Sequence, residues 1–269
     1  MPGVSENQSR SLIPAFCASL ATVRGWLHRN GLYETAVLGS LLLLALCTWA
    51  FFEIADEVQE REHHYLDEWV LKSLRDPLDP SRPLGGSVAE EAARDITALG
   101  GYTVLTLVTL GCAGYLWLRR KWRAMWLVIL SIVGGVLMSE GLKQLFQRER
   151  PSIVPHLVTV HSLSFPSGHS MLSAVTYLTL GALLVKTVAD RGSRLYVIFI
   201  AALLPLLVGL SRVFLGVHYP TDVLAGWCAG LAWALLCSVL AERLQKRGAV
   251  EQPGEEGPPR VRRGGFPKA

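Results

Sequence analysis

Three short clusters of polar residues interrupt an otherwise apolar chain, and their residue types suit the handling of a phosphate group. The clusters lie at residues 143–151, 166–169 and 211–222. The first and third contain the cations Lys143, Arg150 and Arg212. An arginine presents a planar set of N–H donors that matches phosphate oxygens. These cations therefore predict a binding site for a phosphate.

The second cluster, Pro166-Ser167-Gly168-His169, directly precedes an apolar run and is predicted to lie at the start of a helix. Free backbone N–H groups and the helix dipole favour an anion at such a position. A glycine also lets the backbone approach the anion closely. We therefore expect Ser167 and Gly168 to bind phosphate oxygens together with the cations.

Two histidines and a carboxylate suit acid–base and nucleophilic chemistry. Pro220 is well placed as the first residue of a helix, which puts Asp222 in the first turn, able to reach back to His218. A carboxylate on one ring nitrogen leaves the other unprotonated for attack, so His218 is the better candidate for the nucleophile of a phosphoryl transfer. His169 has no carboxylate at that spacing and is the better candidate for the acid and base.

The elements that must position these clusters are predicted to be membrane-spanning helices. The 269 residues are 51% hydrophobic and 18% charged, with a mean hydropathy of +0.34, whereas soluble proteins carry about 25% charged residues. Six runs lack charged side chains, and each reaches the ~17 to 25 residues that cross a bilayer once short polar extensions are admitted. The predicted spans are about 35–54, 96–118, 124–142, 170–187, 195–212 and 222–241. The sequence thus predicts an all-α polytopic membrane protein, with one domain over residues 1–246 and every polar cluster at the end of a span.

The distribution of basic residues predicts the orientation of these spans. Most of the 26 Lys and Arg residues fall in the termini and in the loops 119–123 and 186–194. By the positive-inside rule, these loops and both termini are expected in the cytoplasm. The three polar clusters then share the outer side, which is the periplasm for a bacterial inner membrane. The net charge of +4 is explained by the inner segments, and no nucleic-acid partner is expected.

The outer loop 55–95 is long, and the tail 247–269 is polar. The spacing of an amphipathic helix occurs within the loop at Leu66, Trp69, Val70 and Leu74. This helix either lies on the outer membrane surface or packs on the loops of the bundle. The tail combines prolines, glycines and mixed charges without periodicity, and we expect it to be disordered.

The remaining polar residues receive structural interpretations. Glu140 is expected to pair with Lys143, three residues later on the same helix face. Arg148 and Glu149 are expected on a solvated face, with a contact to the lipid headgroup as the alternative. Neither the five cysteines nor the remaining histidines have the spacing of a metal site, so that no metal and no cofactor are expected. No role is assigned to His63, His64, His156 and His161.

The three clusters together resemble a known family signature. Lys143 is followed after six residues by Arg150-Pro151, then comes the PSGH cluster, and Ser211-Arg212 is followed after five residues by His218 and after three more by Asp222. This pattern is similar to the full signature of the type 2 phosphatidic acid phosphatase/haloperoxidase superfamily. The signature covers about 80 residues, and the six-span pattern extends the resemblance to the membrane lipid phosphatase branch.

The resemblance implies a reaction and a role for each matching residue. His218 would form a phosphohistidine intermediate, Asp222 would orient it, and His169 would act as acid and then as base. The phosphate oxygens would be bound by Lys143, Arg150, Ser167, Gly168 and Arg212. Members of the membrane branch, which include bacterial phosphatidylglycerophosphatase B-like and undecaprenyl-diphosphate phosphatase enzymes, dephosphorylate lipid phosphates or diphosphates in the bilayer without a metal ion.

Three alternatives remain open at this point. A phosphotransferase of the same superfamily would pass the phosphate to an acceptor other than water. A vanadate-dependent haloperoxidase would use a similar anion pocket, although six spans argue against it. A transporter or a noncatalytic membrane protein would also place charges within the membrane, but it would not need an acid, a nucleophile and an orienting carboxylate.

Overall fold

A computed structural model describes residues 37–60, 64–160 and 162–246, and these residues form eight α-helices and no β-strand. The helices are α1 (Val37–Glu60), α2 (His64–Ser73), α3 (Gly86–Ala98), α4 (Tyr102–Leu118), α5 (Trp122–Phe146), α6 (Gly168–Val185), α7 (Arg191–Phe214) and α8 (Pro220–Lys246). The prediction of an all-α membrane protein is confirmed. The chain divides between Leu43 and Leu44, and the contacts below all lie among the described residues of the second unit, Leu44–Ala269.

Five of these helices are long and apolar enough to cross a membrane by themselves: α1, α5, α6, α7 and α8. A sixth candidate span consists of α3 and α4 together, which meet at an angle of 41°. The bend lies at Gly100, where a Cβ atom would overlap Val208 of α7. A close approach between backbone and side chain therefore requires the glycine and interrupts the predicted span near its start.

The region predicted as one outer loop contains more helix than expected. The first helix continues to Glu60, and α3 occupies much of the second half of the loop. Helix α3 packs against α7 and buries Ala93 and Thr97. The sequence pattern missed α3 because its surface is mostly polar and only a narrow stripe of small residues is buried.

Helix α6 lies at the centre of the bundle, against α5, α7 and α8. Its contact with α8 is backbone to backbone. A Cβ atom on Gly226 would lie 2.7 Å from the carbonyl oxygen of Ser167, and one on Gly230 would lie 2.6 Å from that of Met171. The two glycines lie one helical turn apart, so they allow the start of α6 and the start of α8 to come close together.

The amphipathic helix of the outer loop packs on the loops of the bundle, the second of the two interpretations given above. Leu71 is fully buried against Val154, Val213 and Val223. However, Leu66 and Trp69, which were predicted on the buried face, are each 58% exposed. The buried face instead carries two charged residues beside Leu71, namely Asp67 and Arg75.

Arg75, which follows α2, contacts the last residue of α7 and the segment between α5 and α6. Its guanidinium donates to the carbonyl oxygen of Phe214 at 2.9 Å and to that of Pro155 at 3.4 Å. Burial lowers its pKa from the usual value, and the nearby charge of Glu90 partly offsets this shift. Arg75 thus stabilises the loops on either side of the polar clusters. The tail 247–269, predicted to be disordered, lies outside the described residues.

Candidate active site

Lys143 lies near the carboxyl end of α5 with its ammonium directed into the protein. Its side chain is only 6% exposed, and Nζ lies 3.2 Å from Glu140 Oε1, in the predicted ion pair. Glu140 also accepts a hydrogen bond from the Tyr102 hydroxyl at 2.9 Å. A Cβ atom on Gly168 would lie 3.1 Å from Nζ. The lysine therefore contacts the start of α6, where the second polar cluster begins.

Arg150 connects the segment between α5 and α6 to the loop before α8. Its Nε donates to the carbonyl oxygen of Ser162 at 2.6 Å, and its Nη1 donates to that of Val217 at 2.6 Å. The same Nη1 lies 3.1 Å from His218 Nε2. Burial lowers the pKa of Arg150, while the charge of Asp222 opposes this shift. Two backbone carbonyls thus hold the guanidinium beside the histidine ring.

Ser167 forms the N-cap of α6, as its position before the apolar run predicted. The fully buried hydroxyl accepts hydrogen bonds from the Ser170 amide at 3.5 Å and the Ser170 hydroxyl at 2.9 Å. The Ser167 amide donates to the carbonyl oxygen of Asp222 at 2.9 Å. The next amides, those of Gly168 and His169, have no acceptor within the helix and are suited to bind an anion.

Arg212 approaches the same region from the carboxyl end of α7. It is 3% exposed, and its Nη1 donates to the Thr97 hydroxyl of α3 at 3.1 Å. Its Nε is buried and has no hydrogen-bond partner. A buried guanidinium donor without an acceptor is costly, so this atom marks a position where an anionic acceptor would be stabilised.

His218 and Asp222 form the predicted pair at the start of α8. Pro220 is the first residue of the helix, and Asp222 Oδ2 accepts from the Tyr219 amide at 2.9 Å while lying 3.5 Å from His218 Nδ1. A guanidinium can only donate, so the contact with Arg150 assigns the lone pair to His218 Nε2 and the proton to Nδ1. Burial lowers the pKa of His218 to about 4, despite the opposing effect of Asp222. The imidazole is therefore neutral at pH 7.

His169, the second residue of α6, completes the cluster. It lies within electrostatic range of His218 and of three cations. All eight residues predicted for the site are thus brought together around the starts of α6 and α8. They are Lys143, Arg150, Ser167, Gly168, His169, Arg212, His218 and Asp222.

Arg148 was predicted on a solvated face, and this prediction is wrong. Its side chain is 10% exposed and donates to Asp222 Oδ1 at 2.6 Å, whereas a solvated face was expected. The reason is that the short extended segment after α5 turns this arginine toward α8. Its sequence position, two residues before Arg150, was a signal that it shares the same site.

Other contributing residues were not singled out from the sequence. Ser164 is fully buried and donates to Asp222 Oδ2 at 2.5 Å, and Thr97 is the hydroxyl partner of Arg212. Asp67 comes from α2 and binds Arg148 at 2.9 Å. Ser164 lies two residues before the cluster 166–169, which was a signal for it, whereas no motif or spacing links Asp67 and Thr97 to the clusters. Of the other histidines, His156 lies with its Nε2 2.6 Å from the carbonyl oxygen of Pro151, while His63 and His161 lie outside the described residues.

The site is built from cations, hydroxyls and two histidines, and of the described carboxylates Asp222 is the one that faces His218. Over the described ranges 37–60, 64–160 and 162–246, no group of three or more His, Cys, Asp or Glu side chains is arranged to hold a metal ion. What the arrangement can bind directly is a phosphate, through buried N–H donors and positive charge.

Comparison with known proteins gives one family. Residues 124–246 match the model of the PAP2 superfamily. The chain is 36% identical over 158 residues to phosphatidylglycerophosphatase B of Bacillus subtilis. This match covers 58% of this chain and 77% of that protein. It is 32% identical to lipid A 1-phosphatase of Rhizobium johnstonii, in a match that covers 53% of this chain and 62% of that protein. It is 29% identical to undecaprenyl-diphosphatase of Sulfolobus acidocaldarius, in a match that covers 46% of this chain and 58% of that protein.

The fold has a solved counterpart. The crystal structure of a transmembrane PAP2-type phosphatidylglycerolphosphate phosphatase from Bacillus subtilis matches with a TM-score of 0.66 and 30% identity. The match covers 75% of this chain and 96% of that one. The arrangement of helices around the polar clusters is therefore similar to that of a solved membrane phosphatase.

Proposed function

The chain belongs to the PAP2 superfamily and is an integral membrane phosphoric ester or diphosphate hydrolase, and from this premise we propose that it hydrolyses the headgroup phosphate of a lipid through a phosphohistidine on His218. The observation that carries the proposal is the state of His218. Its Nε2 carries a lone pair among bound cations, its Nδ1–H faces Asp222, and its pKa of about 4 keeps it neutral at pH 7.

The first half of the reaction transfers the phosphoryl group to the enzyme. His218 Nε2 forms a bond to phosphorus while the bond from phosphorus to the lipid oxygen breaks. His169 gives a proton to that leaving oxygen. The positive charge that develops on the His218 ring is stabilised by Asp222 through Nδ1–H, and the 3.5 Å contact is expected to shorten as the charge develops.

The second half releases the phosphate. A water molecule attacks phosphorus, His169 takes its proton, and the bond from phosphorus to Nε2 breaks to give inorganic phosphate and free His218. Phosphoryl transfer depends mainly on positioning and on stabilising the charge of the equatorial oxygens. Lys143, Arg150 and Arg212 supply that charge in this proposal, and the amides of Gly168 and His169 supply further donors.

The proposed substrate is a lipid phosphate or diphosphate, and its chain stays in the bilayer. The relatives named above act on lipids of three kinds, according to their names. The clustered cations at the ends of apolar helices favour a phosphate held at the level of the membrane surface. Because the cations and histidines supply charge and proton transfer, no metal ion is required by this mechanism.

The site is proposed to open to the periplasmic side of a bacterial inner membrane, with both termini in the cytoplasm. The basic segment 119–123 lies at the amino end of α5, whereas Lys143 lies near the carboxyl end of that helix. Since a basic loop favours the cytoplasm, the opposite end of α5 faces outward.

The test is an assay on the purified protein in detergent micelles, with a chelator present. Phosphate release is measured from phosphatidic acid, phosphatidylglycerophosphate and undecaprenyl diphosphate, for the wild type and for His218→Ala. We expect release from at least one lipid, inhibition by vanadate and loss of turnover in His218→Ala. Absence of release from all three lipids, or full activity of His218→Ala, contradicts the proposal.

A rapid-quench experiment with 32P-labelled substrate tests the intermediate. We expect an acid-labile, base-stable label on the wild type and none on His218→Ala, while His156→Gln keeps the label as a matched histidine control. An added alcohol acceptor distinguishes hydrolysis from transfer, because a transferase would give an acceptor-dependent phosphate ester. Oxidation of bromide by peroxide in the presence of vanadate would instead indicate haloperoxidase activity.

A further inference from the structure

Asp67 extends the polar interior of the site to α2, a helix that contains none of the sequence clusters. The carboxylate is 2% exposed. Its Oδ1 accepts the Thr221 amide at 3.1 Å, and its Oδ2 accepts the Thr221 hydroxyl at 2.6 Å. Thr221 directly precedes Asp222. Asp67 therefore holds the first turn of α8 from outside the bundle.

Arg148 lies between Asp67 and Asp222 and binds both. Its Nη2 donates to Asp67 Oδ2 at 2.9 Å, and its Nη1 donates to Asp222 Oδ1 at 2.6 Å. The guanidinium also lies over the Tyr219 ring, 4.2 Å from the centroid. Burial alone would lower its pKa, but the two carboxylates raise it. One arginine is thus shared by two buried acids.

Asp222 divides its two oxygens between this arginine and the histidine. Oδ1 accepts from Arg148, whereas Oδ2 accepts from Ser164 and the Tyr219 amide and faces His218 Nδ1. Contacts on both oxygens fix the plane of the carboxylate. The plane in turn fixes the direction in which the His218 ring is held.

The charge balance of these three residues depends on Asp67. Asp222 and Arg148 alone would form a neutral pair, which would attract the charged His218 ring only weakly. With Asp67, the three groups carry a net charge of −1. The other charged or titratable groups that face His218 are Arg150, Arg212 and His169. Two of these are cations, so a negative group is needed on the Asp222 side.

We propose that Asp67 and Arg148 are positioning residues for the phosphorylation of His218. Arg148 fixes the Asp222 carboxylate, and Asp67 shares the arginine so that Asp222 keeps its negative charge toward the histidine. This inference rests on the proposed function, because it assigns the two residues to the step in which His218 becomes charged.

The experiment compares Asp67→Asn, Arg148→Gln and the double variant with the wild type. The readouts are kcat, KM and the pH profile of kcat/KM on one lipid phosphate. Asp67→Asn leaves Asp222 neutralised by Arg148, so we expect kcat to fall about 10- to 100-fold with KM nearly unchanged. The acid limb of its profile is expected to move ~0.5 unit or more to lower pH, because the Asp222–Arg148 pair beside His218 then has no net negative charge.

Arg148→Gln is expected to shift the acid limb in the opposite direction. Removal of the cation leaves the charge of Asp222 beside His218 without its arginine partner, which favours the protonated form of His218, so the limb moves to higher pH. The double variant restores the net charge of −1 and is expected to return the limb toward the wild-type position. The nearby variant Glu68→Gln is the matched control, since Glu68 pairs with Lys72 on the surface of the same helix.

A purely structural role gives a different result. Both single variants would then lose thermal stability and activity without moving the acid limb, and the effects would add in the double variant. That outcome overturns the inference. If Arg148→Gln does not fold, Asp67→Asn alone decides, because the substitution keeps the size of the side chain, and an acid limb identical to that of Glu68→Gln overturns the inference. A wild type that releases no phosphate refutes the proposed function itself, which distinguishes the two failures.

Discussion

Gly226→Ala should reduce activity because Gly226 sets the distance between α6 and α8. The added Cβ atom would lie 2.7 Å from the carbonyl oxygen of Ser167 and 3.0 Å from Ser170 Cβ. Ordinary contacts of a Cβ atom begin near 3.4 Å, so the helices must separate by about 0.7 Å. Ser167 forms the N-cap of α6, and Asp222 lies one turn before Gly226, so the displacement falls within the proposed site.

The expected magnitude follows from this displacement. A misplacement of about 1 Å can cost ~100-fold in rate, and we expect kcat/KM of Gly226→Ala to fall about 10- to 100-fold by the same reasoning. Overpacking of the interface should also lower the free energy of unfolding by ~1–3 kcal/mol. The assay is phosphate release in micelles, with thermal unfolding followed in the same detergent.

Two matched glycine variants separate the local effect from general destabilisation. Gly230→Ala has the same kind of contact, 2.6 Å from the Met171 carbonyl oxygen, but lies one turn farther from the site. We expect a similar loss of stability and a smaller loss of kcat/KM. Gly114→Ala in α4 has open space around its Cβ, so it should leave kcat/KM unchanged and should not lower the stability. The reasoning is refuted if folded Gly226→Ala keeps wild-type kcat/KM, or if Gly230→Ala loses as much activity.

Three further predictions concern residues around the site. Thr97→Val removes the hydroxyl that binds Arg212 and should lower kcat/KM about tenfold. The control is Thr109→Val, because the Thr109 hydroxyl donates to a carbonyl oxygen within α4, and equal rates for the two variants would contradict the prediction. The pKa of His218 is about 4 in the folded protein and 6.5 ordinarily, so between these pH values the unfolded state binds more protons and the free energy of unfolding should fall from pH 6.5 to pH 4. Denaturant titrations should show a weaker decrease in His218→Gln, and an identical decrease in the variant would contradict this prediction. Arg75→Met should lower the free energy of unfolding by about 2–4 kcal/mol, because it leaves the carbonyl oxygens of Phe214 and Pro155 without this donor. A denaturant titration measures the change, and an unchanged midpoint would refute this role.

The fold was predictable where a single physical constraint dominates. Long runs without charge identify spans because a bilayer excludes charged side chains. The prediction was less successful in the outer loop, where no such constraint acts. There, α3 buries mainly small residues, and α2 turns Asp67 inward and Trp69 outward, which the spacing of its apolar residues did not indicate.

The site was predictable as far as its residues lie in local motifs. The spacing from Pro220 to Asp222 indicated the pair with His218 because helix starts have defined geometry. The contacts of Asp67 with Thr221 and of Thr97 with Arg212 join residues 154 and 115 positions apart. Such contacts arise only when helices pack, and no local pattern in one sequence encodes them.

The backbone contact at Gly226 and Gly230 has a consequence for how this chain can be redesigned. The spacing between the starts of α6 and α8 is set there by main-chain atoms, so any side chain placed at either glycine would widen it. Variants of this chain that keep both glycines can therefore be changed at other positions while the proposed phosphate site keeps its width. Attempts to redirect this chain toward a new lipid should mutate residues outside the contact between α6 and α8.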